Sequence, residues 1–265
     1  MNRVWVIVAL LLCAGCSTVR GTKLWAPTWF ELEPIAPRVF VNKGMPPAQR
    51  QLVLELVAES EQRLTHYYGT VTSTPKLFFC STEACFQSFG GSTNRAKSFG
   101  DYGSLFSPRG ISAPIVSHER SHVELYARID SFRILRRVPS WFNEGLAVAV
   151  SEEPTHAESV CGEARTTGVP LPPLAKLESM RQWLDAVEKY RNPELNPKNL
   201  AVVYATAGCE VRPWLQRVGA SGLLSFIAQM RSGTEFPVAY KNAQLTSTKG
   251  DRLMAPVSSS VKLEP

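Results

Sequence analysis

Two histidines four residues apart, with a glutamate directly after the first, constrain this chain more than any other feature. They are His118, Glu119 and His122, in a chain that contains only four histidines. Residues i and i+4 of an α-helix project from the same face, so both imidazoles can bind one Zn²⁺. Glu119 would then lie beside the ion, where its carboxylate can take a proton from an attacking water and pass it to a leaving amine.

A third metal ligand is expected at Glu144, which follows in the stretch Val-Pro-Ser-Trp-Phe-Asn-Glu-Gly-Leu-Ala, residues 138–147. Pro139 predicts a helix start there, and the apolar residues around Glu144 predict that the helix is buried. An unpaired buried carboxylate is costly, so a cation or a metal ion is expected to hold it. We therefore expect metal ligation by Glu144 rather than a plain surface glutamate.

The HExxH pattern followed at this distance by Trp-Phe-Asn-Glu-Gly-Leu-Ala resembles the gluzincin metallopeptidases and is most similar to the peptidase MA-like domain. The resemblance extends from about residue 35 to about residue 245. It implies one Zn²⁺ per chain, with His118, His122 and Glu144 as ligands and Glu119 as general base. It also implies an α+β, zincin-like fold, in which a small N-terminal sheet with one packed helix precedes the HExxH helix and a helical C-terminal half.

Residues 1–15 have the pattern of a secretory signal peptide. A charged segment with Arg3 precedes an apolar run, Val4–Leu12, that is too short to span a bilayer. Small residues then precede Cys16, as in a bacterial lipobox, although Cys13 stands where that pattern favours leucine. We expect cleavage before Cys16 and acylation of its thiol and new amino terminus, and an ordinary exported protein is the alternative.

The segment 16–33 has no strong apolar period and contains Pro27, which predicts a tether between a lipid anchor and a folded domain at 34–245. Ser17, directly after the modified cysteine, is compatible with the outer membrane in Gram-negative lipoproteins. The expected location is therefore the bacterial cell envelope, with the protein anchored by lipid and facing the periplasm. The tail at 246–265 is rich in serine and without apolar period, and this predicts disorder.

Four of the six cysteines remain once the signal peptide, with Cys13, is removed and Cys16 is acylated, and an even number in an exported protein predicts two disulfides. Cys80 and Cys85 flank a short turn and a helix start, so local pairing there is preferred, and Cys161 would then pair with Cys209. The other pairings stay open. A zinc site built from these cysteines is disfavoured because the sequence lacks CxxC spacing.

The net charge of +6 and the sequence pI near 9.1 reflect basic residues that are dispersed along the chain. No basic run is interleaved with aromatic residues, so nucleic-acid binding is not expected, and the excess is interpreted as solvated surface with weak affinity for anionic lipid. A chain of 265 residues can bury a sizeable core. The expected partners are a peptide or protein substrate in the cell envelope and, through the lipid anchor, a membrane.

Apolar periodicity predicts alternating strands and helices, then a helical C-terminal half. Strands are expected at 37–42, 75–80 and 104–106, and helices at 46–67, 82–89, 113–129, from Pro139, and at 174–190, 197–218, 221–231 and 235–243. Residues 151–173 are expected to be irregular, and Pro213 should kink or divide its helix. The family resemblance implies that strand 104–106 lies at the sheet edge, where an extended peptide can pair with it; an ordinary edge strand is the alternative.

The expected function is peptide hydrolysis by a zinc-activated water, with Glu119 moving the proton. Aminopeptidases of this clan recognise a free amine with acidic residues near the edge strand, and because residues 102–112 contain none, endopeptidase activity is favoured weakly. The alternative is a catalytically inactive zincin-like lipoprotein that serves as a binding or assembly module in the envelope. A scaffold needs no general base, which argues against that alternative.

Tyr204 is a further catalytic candidate because Tyr-Ala-Thr-Ala-Gly, residues 204–208, resembles the third helix of the family. The resemblance implies that its phenol could face the zinc helix and stabilise the oxyanion of a tetrahedral intermediate. Tyr204 also lies on an apolar stripe, so a buried core tyrosine is the alternative. His156, in the irregular segment, is the competing donor.

Overall fold

The computed structural model describes residues 22–130, 134 and 136–253. The predicted signal peptide, Cys16 and the last twelve residues of the predicted tail, 254–265, lie outside the described residues. Within the part of the chain that is described, no helix is both long and apolar enough to cross a membrane.

A mixed five-stranded sheet occupies the N-terminal half. Its strands are β1 (Leu32–Ala36), β2 (Val39–Asn42), β3 (Lys76–Phe79), β4 (Ala96–Ser98) and β5 (Gly103–Phe106). The spatial order is β1-β2-β3-β5-β4, with β2, β3 and β5 parallel and the two edge strands antiparallel to their neighbours. Parallel strands need crossover connections and are buried on both faces, which agrees with the uninterrupted burial of β5.

Eight α-helices lie within the described residues, and most belong to the C-terminal half. They are α1 (Pro47–Tyr68), α2 (Glu83–Ser88), α3 (Ala113–Ile129), α4 (Ser140–Ser151), α5 (Glu158–Thr167), α6 (Met180–Lys189), α7 (Val202–Ser232) and α8 (Phe236–Leu253). The predicted α+β class is therefore confirmed. The finer, zincin-like assignment stays a prediction.

The edge strand beside α3 is not the strand that the sequence predicted. The strand expected at 104–106 is present as β5, but it lies between β3 and β4, inside the sheet. The actual edge is β4, which pairs antiparallel with β5, Ala96 opposite Phe106, and contacts α3. A strand of three residues with a lysine in its centre is too short for apolar alternation to be detected.

The folded domain begins earlier than the predicted boundary at residue 34. Short 3₁₀ turns at Lys23–Trp25 and Pro27–Phe30 lead into β1. Leu24 and Leu32, each only 1% exposed, pack in one cluster with Phe78, so the second half of the predicted tether is part of the core. At the other end, α8 continues past the predicted boundary at residue 246, to Leu253.

Two further expectations in the C-terminal half needed correction. The segment 151–173, predicted to be irregular, contains a 3₁₀ turn and the ten-residue helix α5. Pro213 does not divide α7, since the helix continues through it and packs against α4 and α8. The break lies at Gly219, between the helices predicted at 197–218 and 221–231, and its φ of 60° is a conformation that glycine adopts without steric cost.

The main hydrophobic core lies where α4 crosses α3 and α7. All twelve residues of α4 are buried, and Phe142 packs against Trp214 and Phe226 of α7. Two disulfides join the pairs that the sequence favours, Cys80 with Cys85 and Cys161 with Cys209. The second disulfide links α5 to α7 beside this core.

Candidate metal centre

Three side chains from two packed helices converge on one point. His118 and His122 project from α3, and Glu144 projects from the buried helix α4. The Nε2 atoms of the two histidines are 3.1 Å apart, and Oε2 of Glu144 lies 3.4 Å from His118 Nε2 and 3.6 Å from His122 Nε2. The structure therefore brings together the three residues that the sequence predicts as ligands.

These separations suit a shared metal ion. Ligand atoms about 2.0–2.2 Å from a tetrahedral Zn²⁺ lie roughly 3.3–3.6 Å from one another, and the three observed distances fall close to that range. Two imidazoles and one carboxylate are also a donor set that zinc accepts. His118, His122 and Glu144 can thus hold a metal ion.

The electrostatics of the cluster favour positive charge at its centre. Burial lowers the pKa of His122, but the Glu144 carboxylate, with smaller contributions from Glu119 and Asn143, raises that pKa to about 9. Burial raises the pKa of Glu144, yet the charge of His122 and the hydrogen bond from His118 hold it well below its usual range. The carboxylate is therefore ionised, and it is stabilised only if a proton or a metal ion supplies the opposite charge.

Asn143 fixes the orientation of the second histidine. Its Oδ1 lies 3.0 Å from Nδ1 of His122, and both atoms are buried. An amide oxygen only accepts hydrogen bonds, so Nδ1–H of His122 donates to it and Nε2 is the nitrogen that faces His118 and Glu144. Such a partner behind a metal-binding histidine sets the tautomer and raises the basicity of the ligand.

Glu119 lies at the edge of the cluster and faces a cleft of about 260 Å³. Ser98, on the edge strand β4, donates a hydrogen bond of 2.5 Å to Oε2 of Glu119. The Ser98 hydroxyl is itself 2.8 Å from that of Ser104 on β5. The sheet edge therefore positions the carboxylate that the sequence predicts as general base.

Tyr204 and His156, the two competing candidates, lie side by side on the wall of this cleft. Their rings stack with a centroid distance of 4.8 Å and an interplanar angle of 10°. The Tyr204 ring also lies 6.3 Å from that of His118, and Trp183 packs edge-on against it. Burial, and next the charge of Glu144, raise the pKa of Tyr204 above its usual range, so its phenol keeps its proton at neutral pH.

Glu153 and Arg95 were not assigned a role from the sequence, but they support the same wall. Arg95 donates from both Nη atoms to the two carboxylate oxygens of Glu153, at 2.5 and 3.1 Å. Oε2 of Glu153 lies 3.2 Å from Nδ1 of the buried His156. Burial lowers the pKa of His156 to about 4 although Glu153 opposes the shift, so this imidazole is neutral at neutral pH.

The arrangement can bind one metal ion, place a carboxylate beside it, and present hydrogen-bond donors from the facing wall. Of its supporting residues, Asn143 stands directly before Glu144 in the quoted stretch, and this adjacency was the signal that could have revealed it. Ser98 and Arg95 carry no comparable signal in the sequence. Comparison of the chain with protein-family models, with curated proteins and with solved structures found no match.

Proposed function

We propose that this chain is a zinc-dependent metallopeptidase of the gluzincin type, exported to the bacterial cell envelope and anchored there by lipid at Cys16. The observation that carries the proposal is the convergence of His118, His122 and Glu144 at the ligand separations of a tetrahedral site, with Glu119 beside them. A structural zinc site needs a fourth protein ligand. A cluster of three ligands that opens on a cleft is instead typical of catalytic zinc.

Zinc, when bound, supplies a Lewis acid that polarises a peptide carbonyl and makes water more acidic. Ser98 holds Oε2 of Glu119, which leaves Oε1 to take the proton of the attacking water and later deliver it to the leaving amine. The donor for the developing oxyanion would be Tyr204, whose phenol keeps its proton, with His156 as the competing candidate. The exposed edge of β4 offers backbone groups for pairing with an extended substrate.

Endopeptidase activity remains the favoured form of this proposal. The structure does bring an acidic residue near the edge strand, since Glu153 lies against Arg95. That carboxylate accepts both guanidinium hydrogen bonds and another from the hydroxyl of Thr155, so its charge is already matched. A free substrate amine would have to displace Arg95 to pair with it.

The decisive experiment measures zinc content and peptide cleavage on the same preparations. The wild-type chain should contain one zinc and cleave members of a mixed peptide library, and His118→Ala, His122→Ala and Glu144→Ala should each lose stoichiometric zinc. His66→Ala, an exposed histidine on α1, is the matched control and should keep both properties. Equal zinc retention in all three ligand variants would refute the assignment.

Glu119→Gln separates catalysis from metal binding. The amide is nearly isosteric with the carboxylate but cannot take the proton of the water, so zinc and fold should be kept while hydrolysis falls by about 10² to 10⁴-fold. Near-normal turnover in this variant would place the general base elsewhere. Complete absence of cleavage by the zinc-loaded wild type would favour the alternative of a binding module.

The envelope location has its own test. A radiolabelled fatty acid supplied to cells should be incorporated into the wild-type protein and not into Cys16→Ala, which should be released from the membrane or accumulate unprocessed. A wild-type protein that is unlabelled and fully soluble would contradict the lipid anchor without affecting the metal site.

A further inference from the structure

A second cavity adjoins the cleft in front of Glu119. It has a volume of about 400 Å³ and lies between the end of α6 and the start of α7. The two cavities share five lining residues, namely Arg95, His156, Val187, Arg191 and Tyr204. A peptide held across the cleft at Glu119 would therefore extend a neighbouring residue, or its own end, into the second cavity.

The charged side chains that line this second cavity are two arginines, and each is paired with a glutamate that does not line it, Arg95 with Glu153 and Arg191 with Glu188. Arg95 and Arg191 line it, and among the described residues that form its wall none is an Asp or Glu. The first turn of α7 also lies on the wall, and its N-cap residue, Ala201, provides no side-chain hydrogen bond. The positive end of that helix dipole adds to the potential that the two guanidinium groups create.

Both arginines keep donors for a further anion. Arg95 uses two of its five N–H groups on Glu153. Arg191 is paired with Glu188 through Nη1 at 2.6 Å, but its side chain is 61% exposed and that of Glu188 is 72% exposed. An exposed ion pair of this kind contributes little free energy, so a substrate carboxylate can replace Glu188 at small cost.

The wall that carries Arg191 is held in place by a buried side chain. Asn196, in the connection between α6 and α7, donates from Nδ2 to the carbonyl oxygens of Tyr190 and Leu200. Its Oδ1 accepts the backbone N–H of Leu200. The residues at both ends of this connection are thus fixed before any ligand arrives, which lowers the entropic cost of binding.

We propose that the second cavity is a specificity subsite for a substrate carboxylate, bound by Arg95 and Arg191. The carboxylate would belong to an Asp or Glu side chain close to the scissile bond, or to the free C-terminus of the peptide. This inference rests on the proposed peptidase function and names its substrate class, which is peptides that carry a carboxylate close to the scissile bond.

The test uses zinc-loaded full-length mature chain and two matched series of internally quenched peptides. One series exchanges Asp and Glu for Asn and Gln near the scissile bond, and the other exchanges a free C-terminus for an amide. Hydrogen bonds between two charged groups predict that the charged member of at least one series has a kcat/KM about tenfold to a hundredfold higher. The series that shows the preference identifies the source of the carboxylate.

Arg191→Gln should remove most of this preference, and Arg191→Glu should reverse it in favour of Lys-containing peptides. Arg181→Gln is the matched control, because Arg181 is an exposed arginine on α6 that does not line the cavity. Arg191 is preferred to Arg95 for the test. Arg95 pairs with the buried carboxylate of Glu153, and removing Arg95 would leave that charge unpaired and destabilise the fold. Equal cleavage of charged and neutral peptides by the wild type would overturn the subsite and leave the peptidase function standing.

A binding measurement keeps the subsite testable if no peptide is cleaved. Fluorescence anisotropy of a labelled acidic peptide should show tighter binding to Glu119→Gln than to the double variant Glu119→Gln, Arg191→Gln. Arg191-dependent binding, together with no cleavage of any peptide by the zinc-loaded wild type, would support the subsite and refute the peptidase function. Failure of the acidic peptide to bind more tightly than its neutral counterpart would refute the subsite.

Discussion

Oδ1 of Asn143 accepts a hydrogen bond of 3.0 Å from Nδ1 of His122, which commits the other ring nitrogen to the side of Glu144. Asn143→Ala should lower zinc affinity by about 10 to 100-fold without abolishing binding, because the ring loses its orienting partner. Competition with a chelator of known affinity measures this change. Asn143→Asp keeps an acceptor and should bind zinc at least as tightly as the wild type, so equal losses in both variants would contradict the orienting role.

Ser98→Ala should lower kcat about tenfold while zinc content stays at one per chain. The variant removes the hydroxyl that holds Oε2 of Glu119, so the carboxylate is no longer confined to one orientation. Steady-state kinetics with one library-derived peptide, alongside elemental analysis, checks both expectations. Ser98→Thr retains the hydroxyl and should restore most of the rate. A threonine variant as slow as the alanine variant would indicate a packing effect instead.

Tyr204→Phe should lower kcat by about 10² to 10³-fold with zinc content and melting temperature nearly unchanged, as expected when one oxyanion donor is removed. The same assay on His156→Gln compares the two stacked candidates directly. Unchanged turnover in Tyr204→Phe, or a loss of turnover matched by unfolding, would indicate that Tyr204 serves only as a buried core residue. His156 would then be the remaining donor.

His156 should make the folded chain sensitive to acid. Burial lowers its pKa from 6.5 to about 4, so the folded state favours the neutral ring. Its stabilising contribution is complete above pH 6.5 and is lost as the pH falls from about 6.5 to about 4. Urea unfolding measures the free energy of unfolding at pH 7 and at pH 4. The loss between these two pH values should be smaller for His156→Gln than for the wild type, and the difference should be about 1–3 kcal/mol. Parallel decreases in the two proteins would contradict this assignment.

The ligand cluster could be predicted from the sequence because its geometry is local. The spacing of His118 and His122 is one helical turn, and the apolar surroundings of Glu144 indicate that its carboxylate needs a partner. Burial of the whole of α4 agrees with that reasoning. The assignment of zinc and of peptide hydrolysis remains a prediction.

The supporting residues could not be predicted because their contacts depend on packing between distant segments. Arg95 and Glu153 meet across 58 positions, and no periodicity links them. Ser98 reaches Glu119 because the chain adds the three-residue strand β4 outside β5. The sequence had predicted that β5 would form this edge of the sheet. Register and strand order arise from tertiary contacts, which a single sequence does not display.

The disulfide between Cys161 and Cys209 joins the two segments that carry the stacked candidates, since His156 and Tyr204 each precede one of these cysteines by five residues. While both thiols are reduced, no covalent bond holds α5 against α7, and only noncovalent contacts, such as the Arg95–Glu153 pair, hold the wall opposite Glu119. Oxidation of thiols belongs to extracytoplasmic compartments. Under the proposed export to the cell envelope, a newly synthesised chain would gain the covalent link between α5 and α7 only after it leaves the cytoplasm.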